Sequence, residues 1–369
     1  MINYIWQKSN WTAFLWQSET LLIPLGRARR QQGCLQTDAE YIGLEQQATI
    51  LTEETIQTAA IEGELIARDA VRSSVARRLG LPTAGLQSVD RHADGLVEVL
   101  LDATGNYRMG LDSNRLKAWH AALFPTGYSG MVPITVADWR IGDQPMQVVS
   151  GPIGKERVHY LAPPAEQIHV EMVRFFKWWR NPPENLDGLV RAAIAHFWFV
   201  TIHPFDDGNG RIARAITDMA LAQDEGSGRR LYSMSSQIMD ERKTYYSILE
   251  RTQKGSGDLT DWIVWFLSCF ERTVGRSRRI VKKTLQAARL WQTLASIDLN
   301  ERQRKVINKL VEVGPGKFEG GLTNKKYVGM TRTSRETAKR DITDLVKKGI
   351  LLKNRGRGRS TSYRLNFDK

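Results

Sequence analysis

The residues with the most evident chemistry directly follow an apolar run. Residues 197–202 read Phe-Trp-Phe-Val-Thr-Ile, and a twelve-residue string from His203 to Arg214 comes immediately after them. Taken singly, a histidine before a proline is usually a helix end, and a pair of arginines is usually a solvated helix face. Combined in one string, an imidazole can take a proton from a hydroxyl group while glycines and arginines hold an anion.

The glycines and arginines of this string predict an anion site at a helix N-terminus. Pro204 ends one helix, because its ring disfavours the helical conformation in the residue before it. Residues 207–210 form a turn that can start the next helix, where small glycines leave backbone N–H groups open to an anion. Arg211 and Arg214 lie three positions apart, so both side chains can face the same ligand.

The string resembles the Fic-family signature HPFx[D/E]GN[G/K]RxxR and matches it at every constrained position. The similarity extends over about residues 113–271, including 119–125 upstream and the Tyr245-Tyr246 pair downstream. The resemblance implies a protein adenylyltransferase, which moves AMP from ATP onto a Ser, Thr or Tyr hydroxyl of a protein, with Mg²⁺ as cofactor.

The resemblance also implies a role for each signature residue. His203 would accept the proton of the incoming hydroxyl, and Asp207 would hold a Mg²⁺ between the α- and β-phosphates. Phe205 would anchor the loop in the core. Arg211 would reach the β-phosphate and Arg214 the γ-phosphate. The α- and β-phosphates would be held by backbone and amide donors of Gly208, Asn209 and Gly210.

A second motif predicts that the site is inhibited. Residues 58–63, Thr-Ala-Ala-Ile-Glu-Gly, fit the inhibitory pattern [S/T]xxxE[G/N] of the same family. The family places this glutamate on a helix beside the active site, which here would pair Glu62 with Arg214. A carboxylate that holds the guanidinium group competes with a triphosphate for it and repels the phosphate charge.

Two short β-prone runs, residues 146–149 and 158–161, predict a hairpin in an otherwise helical region. An isolated hairpin is marginally stable, so another element or a ligand is expected to pack on it. The family uses such a flap to dock an extended segment of the target by strand addition. The flap residues would be Val149, Ser150, Gly151, Pro152, Ile153 and Gly154.

Nearly all of the net charge lies at the C-terminal end. Residues 299–369 contain 19 Lys+Arg and 7 Asp+Glu, or 19 − 7 = +12, of a total of +13. Their pattern predicts three helices and then two strands around a basic loop, the order of a winged helix-turn-helix. The surplus of positive charge favours DNA as the partner, although winged helices also bind proteins. The candidate DNA contacts are Arg332, Arg335, Lys339, Arg355, Arg357 and Arg359.

The elements around these motifs predict a mainly α fold with one hairpin. Apolar residues recur at helical spacing over 44–51 and 59–67, which predicts two helical pieces near the inhibitory motif. The predicted domains are an N-terminal helical segment, a Fic domain, a helical connector and a winged helix-turn-helix, spanning residues 1–111, 112–274, 275–298 and 299–369.

The composition argues against a disulfide-rich, a zinc-binding or a membrane-spanning protein. The two cysteines, Cys34 and Cys269, stand apart from each other and from any His cluster, which excludes a disulfide framework and a cysteine-rich zinc site. No run of about 18 apolar residues predicts a membrane span. We therefore expect a cytoplasmic protein.

The sequence leaves two rival functions open. One is a hydrolase that removes AMP, in which Glu62 positions water. The other is a transcription regulator whose Fic domain senses nucleotide, which the complete signature argues against. The target protein is not identifiable from the sequence, self-modification is expected, and a homodimer stays open.

Overall fold

A computed structural model describes residues 4–38, 42–82, 90–150, 157–313, 318–354 and 361–367. The chain divides into two compact units, Met1–Arg278 and Arg279–Lys369. Helices dominate both units, which confirms the predicted mainly α class. The finer domain boundaries stay predictions. Within the described residues, no helix combines the length and apolar character needed to cross a membrane.

The helices of the first unit are α1 (Ser18–Asp38), α2 (Leu44–Ile61), α3 (Arg68–Arg78), α4 (Arg91–Gly105), α5 (Ser113–Leu123), α6 (Ala165–Arg180), α7 (Gly188–Ile202), α8 (Asn209–Glu225), α9 (Met234–Asp240), α10 (Arg242–Gln253) and α11 (Thr260–Leu294). A short 3₁₀ helix, Ile5–Gln7, precedes them. The last helix continues beyond Arg278, so the basic stretch predicted as a connector extends an existing helix.

Helices α7 and α8 form the centre of the first unit and meet at the signature string. The Asp187 carboxylate caps α7 by accepting a hydrogen bond from the Leu189 N–H at 2.8 Å. Every residue of 197–202 is buried, which agrees with the continuous apolar run, because a helix that is apolar on all sides must be covered on all sides. Helix α8 packs along α7 and is buried over most of its length.

Helix α2 packs against α8 and α9. Its bounds correct the sequence prediction, which placed helical pieces at 44–51 and 59–67. A single helix instead runs from Leu44 to Ile61, and Gly63 turns the chain with a φ of 87°. A left-handed glycine ends a helix at little cost because it has no Cβ.

The strands of the first unit form two small antiparallel pairs, β1 (Tyr128–Ser129) with β2 (Val132–Pro133) and β3 (Gln147–Ser150) with β4 (Arg157–Leu161). The second pair lies where the flap was predicted. The first pair corrects the prediction of a single hairpin. Tyr160 ties β4 to the core, because its buried hydroxyl donates to the Thr201 carbonyl at 2.6 Å.

The second unit contains α12 (Glu301–Val313), α13 (Asn324–Thr331), α14 (Arg335–Lys347), β5 (Leu351–Lys353) and β6 (Tyr363–Leu365). This is the predicted order of elements. Ser334 caps α14 by accepting from the Thr337 N–H at 3.1 Å. Aliphatic side chains such as Val306, Ile342 and Leu345 form its core, together with Leu290 and Leu294 from the end of α11.

Candidate active site

His203 stands at the end of α7 in a left-handed conformation, with φ 53° and ψ 58°. Its Nδ1 atom lies 3.2 Å from the Val200 carbonyl oxygen. A carbonyl only accepts, so Nδ1 carries the proton and Nε2 is the basic atom of the neutral ring. Burial lowers the pKa of His203 to about 4. The ring is therefore neutral at physiological pH, as a general base must be.

The backbone after His203 is fixed by hydrogen bonds that the sequence did not reveal. Arg140 Nε donates to the His203 carbonyl at 2.8 Å, and the Arg140 N–H donates to the Pro204 carbonyl at 2.9 Å. Phe205 is fully buried, which agrees with its expected anchoring role. Its ring stacks on His120, with centroids 4.2 Å apart and planes 9° apart.

The side-chain amide of Asn209 fixes the loop. Its Oδ1 accepts from the Phe205 N–H at 3.0 Å, and its Nδ2 donates to the Phe205 carbonyl at 2.8 Å. Both ends of the amide are thus engaged with the backbone. The NH2 group has a second hydrogen to donate, so the expected amide donor for phosphate stays a prediction, as does the backbone N–H of Asn209.

The N-terminus of α8 lies where the sequence predicts an anion site. Gly208 precedes the helix with φ 79°, which only glycine adopts readily. Arg211 and Arg214 follow in the first two turns, with side chains 5% and 2% exposed. Nε and Nη2 of Arg211 have no hydrogen-bond partner among the described residues. Two buried cations and the positive end of a helix converge here.

Glu62 lies across this helix end. Its Oε1 atom is 2.8 Å from Nη1 of Arg214, although the two residues are distant in sequence. The hydroxyl and carbonyl oxygens of Thr58 accept from Nε and Nη2 of the same guanidinium. Burial acts to lower the pKa of Arg214, but Glu62, Tyr245 and Tyr246 together outweigh it, so this pKa is raised. A Cβ added at Gly210 would lie 2.0 Å from Glu62 Oε1, so the carboxylate touches the first turn of α8.

Asp207 is placed beside the same helix end. Its Oδ2 accepts from the Ser129 hydroxyl at 2.5 Å, and its Oδ1 accepts from the Gly208 N–H at 2.5 Å. Among the described residues no group of three or more His, Cys, Asp or Glu side chains could hold a metal ion. A single, 40% exposed carboxylate still fits Mg²⁺, which usually binds through one or two carboxylates plus substrate phosphates.

The flap, α10 and the signature string line one cavity of about 660 Å³. His203, Gly210 and Glu62 contribute to its wall, together with Val149 of the flap and Tyr246 of α10. Val149 is exposed. Ser150 ends β3, and the predicted flap positions Gly151, Pro152, Ile153 and Gly154 lie outside the described residues.

The candidate DNA contacts lie in the second unit. Arg332 caps the end of α13, whereas Arg335 and Lys339 lie in the first half of α14, and all three are exposed. Arg355, Arg357 and Arg359 lie outside the described residues.

Four further side chains around the site have contacts that the sequence did not predict. Ser129 contacts Asp207, and His120 contacts the Asp207 carbonyl at 3.2 Å as well as stacking on Phe205. Tyr246 donates to the Ile61 carbonyl at the end of α2 at 3.1 Å. Glu64 pairs with Arg211. His120 and Tyr246 lie in segments of the family similarity, and Glu64 is an acidic residue two positions after Glu62, so these three had a signal in the sequence.

Two family models match the chain. Residues 110–221 match the Fic/DOC family, and residues 4–81 match a domain of unknown function, DUF4172. A protein adenylyltransferase Fic from Nematostella vectensis is 32% identical over 116 residues, which are 31% of this chain and 25% of that protein. One from Drosophila mojavensis is 25% identical over 218 residues, which are 58% of this chain and 38% of that protein. The chain thus spans well under half the length of these relatives.

Solved structures show the same fold. A Fic family protein from Desulfovibrio desulfuricans aligns over 94% of this chain and 96% of its own, with a TM-score of 0.52 and 19% identity. A fragment of Fic-1 from C. elegans aligns over 71% of this chain and 74% of its own, with a TM-score of 0.50 and 18% identity.

Proposed function

Residues 110–221 form a domain of the Fic/DOC family, and from that premise we propose that the protein is an adenylyltransferase, which transfers AMP from ATP to a Ser, Thr or Tyr hydroxyl of a protein. The relatives named adenylyltransferases support this activity. The observation that carries it is a single cavity whose wall includes both a neutral histidine and the first turn of α8.

In the proposed reaction the hydroxyl oxygen of the target attacks the α-phosphorus of ATP. The new P–O bond forms as the bond to the departing diphosphate breaks, and the hydroxyl proton passes to Nε2 of His203. The hydrogen bond from Nδ1 to the Val200 carbonyl holds the ring for this role. General-base help of this kind contributes about 10²–10⁴-fold.

The N-terminus of α8 binds the phosphates in this proposal. Backbone N–H groups of 208–210 and the guanidinium groups of Arg211 and Arg214 supply positive charge where negative charge builds up on the leaving group. Asp207 is the residue that would hold Mg²⁺, which neutralises phosphate charge when bound. The protein then contributes the positioning of the reactants, the positive charge that stabilises the leaving group, and one general base.

Glu62 keeps the site inactive in this proposal. An incoming triphosphate requires the Arg214 guanidinium that Glu62 holds, and the carboxylate repels it at the first turn of α8. Two like-charged groups cannot share one buried cation without a large cost.

The flap binds and positions the target protein in this proposal. Each strand of the β3–β4 pair has one edge without a strand partner in the described residues. An extended target segment that pairs with such an edge gains main-chain hydrogen bonds, whatever its sequence. The target's hydroxyl would then lie over the cavity that contains His203.

The test incubates the pure protein with α-labelled ATP and Mg²⁺ and locates AMP by mass spectrometry, with the Glu62→Gly variant beside the wild type. Label on a protein hydroxyl, greater in Glu62→Gly, supports transfer. If wild type instead removes AMP from a modified protein and Glu62→Gly loses that activity, the chain is a hydrolase. The variant Glu53→Gln, on the same helix but paired with Arg68, is the control.

A second proposed activity is DNA binding by the C-terminal unit. Its support is the +12 charge of residues 299–369, from 19 Lys+Arg minus 7 Asp+Glu, and the exposed Arg335 and Lys339 at the start of α14. The N-terminal half of a helix that follows a helix and a turn is the part that enters the major groove in helix-turn-helix proteins.

A further inference from the structure

The segment after α2 carries a second carboxylate that faces the anion site. Glu64 lies two positions beyond Glu62, and its Oε1 and Oε2 atoms are 2.8 and 2.9 Å from Nη1 of Arg211. Two carboxylates spaced two apart therefore hold two arginines spaced three apart, Glu62 on Arg214 and Glu64 on Arg211.

The end of α2 explains why both carboxylates reach their partners. Gly63 adopts φ 87°, its N–H donates to the Ala60 carbonyl at 3.0 Å, and the Glu64 N–H donates to the Ala59 carbonyl at 3.0 Å. This is the hydrogen-bond pattern of a Schellman motif, which satisfies the last carbonyls of a helix and fixes the residues that follow it. Glu64 is thus held by the backbone as well as by its ion pair.

Arg211 depends on Glu64 for its charge balance. Its guanidinium is 5% exposed and lies 4.8 Å from the centre of the Phe124 ring. Among the residues that the structure describes, the other carboxylate paired with it is that of Asp207, whose Oδ2 is 3.5 Å from Nη2. Burial of a cation is costly unless an anion lies beside it. Glu64 is 44% exposed, so it can swing into solvent when another anion replaces it.

We propose that Glu64 is a second gate on the nucleotide site, which competes for Arg211 as Glu62 competes for Arg214. The inference rests on the proposed function, in which Arg211 meets the β-phosphate and Arg214 the γ-phosphate. The two glutamates then act on different nucleotides. Glu64 opposes every nucleotide with a β-phosphate, ADP as well as ATP, whereas Glu62 holds the arginine that meets the γ-phosphate and so opposes ATP more than ADP.

The experiment measures the affinity of the full chain for ATP and for ADP by calorimetry with Mg²⁺, in wild type, Glu62→Gln, Glu64→Gln and the double variant. Glutamine keeps the size of the side chain and removes its charge. We expect Glu64→Gln to tighten both nucleotides by about three- to tenfold, because its pair is half exposed. Glu62→Gln should tighten ATP and leave ADP within about twofold. Thermal unfolding checks that each variant is folded.

The control is Glu53→Gln, whose carboxylate pairs with Arg68 on the outside of the same helix. Affinities in Glu64→Gln that equal those of the control for both nucleotides overturn the inference, while tighter ATP binding in Glu62→Gln would leave the proposed function intact. If no variant binds either nucleotide, the nucleotide site itself is refuted, and the role of Glu64 with it.

Discussion

Oε1 of Glu62 and Nη1 of Arg214 lie 2.8 Å apart, joining the end of α2 to the second turn of α8. The guanidinium is almost fully buried, and Thr58 on α2 accepts two hydrogen bonds from it. Three groups from one short motif therefore surround the guanidinium, and they join the end of α2 to α8.

Removal of the Glu62 carboxylate should raise the proposed AMP transfer. We expect Glu62→Gly to raise self-labelling and target labelling with ATP by about ten- to hundredfold, since it frees the Arg214 guanidinium to donate to the γ-phosphate, and a hydrogen bond to a charged group contributes about 1.5–3 kcal/mol. Arg214→Ala should label proteins poorly whether or not Glu62 is present, because the inhibitory carboxylate and the γ-phosphate use the same guanidinium. Labelling in Glu62→Gly no higher than wild type, across several candidate targets, would refute inhibition by Glu62.

The base prediction concerns His203. His203→Ala should abolish AMP transfer and leave ATP binding nearly unchanged, because the phosphate contacts come from other residues. Burial lowers the pKa of His203 to about 4, so the neutral ring persists well below neutrality. Transfer by Glu62→Gly should then stay flat from about pH 8 to about pH 5.5 and fall at lower pH. A rate that falls to half its maximum at a pH near the ordinary histidine pKa would contradict a lowered pKa for His203.

Acid should destabilise the first unit through His196. The buried ring contacts the Thr217 hydroxyl and the Tyr245 hydroxyl, both at 2.9 Å, and burial lowers its pKa to about 3. The unfolded chain takes up the proton near pH 6.5 while the folded chain does not, so stability is complete above that pH and falls below it, by about 1.4 kcal/mol per pH unit for one group.

Thermal unfolding over pH 7 to 4.5 tests this prediction. His196→Asn should be less stable than wild type at pH 7 but lose less stability on acidification. The exposed His92 on α4 offers the matched control, and His92→Asn should keep the wild-type slope. Equal slopes in all three proteins would show that His196 is not the group that titrates.

DNA binding should depend on the start of α14. The double variant Arg335→Ala, Lys339→Ala in the full chain should bind duplex DNA about tenfold more weakly, and the slope of log affinity against log salt should fall by about 2. A chain truncated near Leu294 should not bind. The double variant Lys177→Ala, Arg180→Ala, at exposed positions of α6, is the control. Salt-insensitive binding that is equal in all forms would favour a protein partner for this unit.

Local sequence was sufficient for the parts of the site that are contiguous in the chain. The string from His203 to Arg214 predicted a helix end, a turn and a new helix with two arginines on one face, and the structure contains them at these positions. The basic C-terminal end follows from the local sequence in the same way. Such features depend on residues within one or two helical turns, so their spacing alone predicts them.

Tertiary structure decided what surrounds that string. The amide of Asn209 turned out to hold Phe205, and the pair Glu64–Arg211 forms only where α2 packs beside α8. The Glu62–Arg214 pair was predicted from a motif, but its distance could come only from packing. These contacts join residues far apart in sequence, and their geometry depends on how the apolar faces of several helices are buried together. No local pattern encodes how several helices pack together. The sequence therefore determined which groups are available, and the packing determined which of them come into contact.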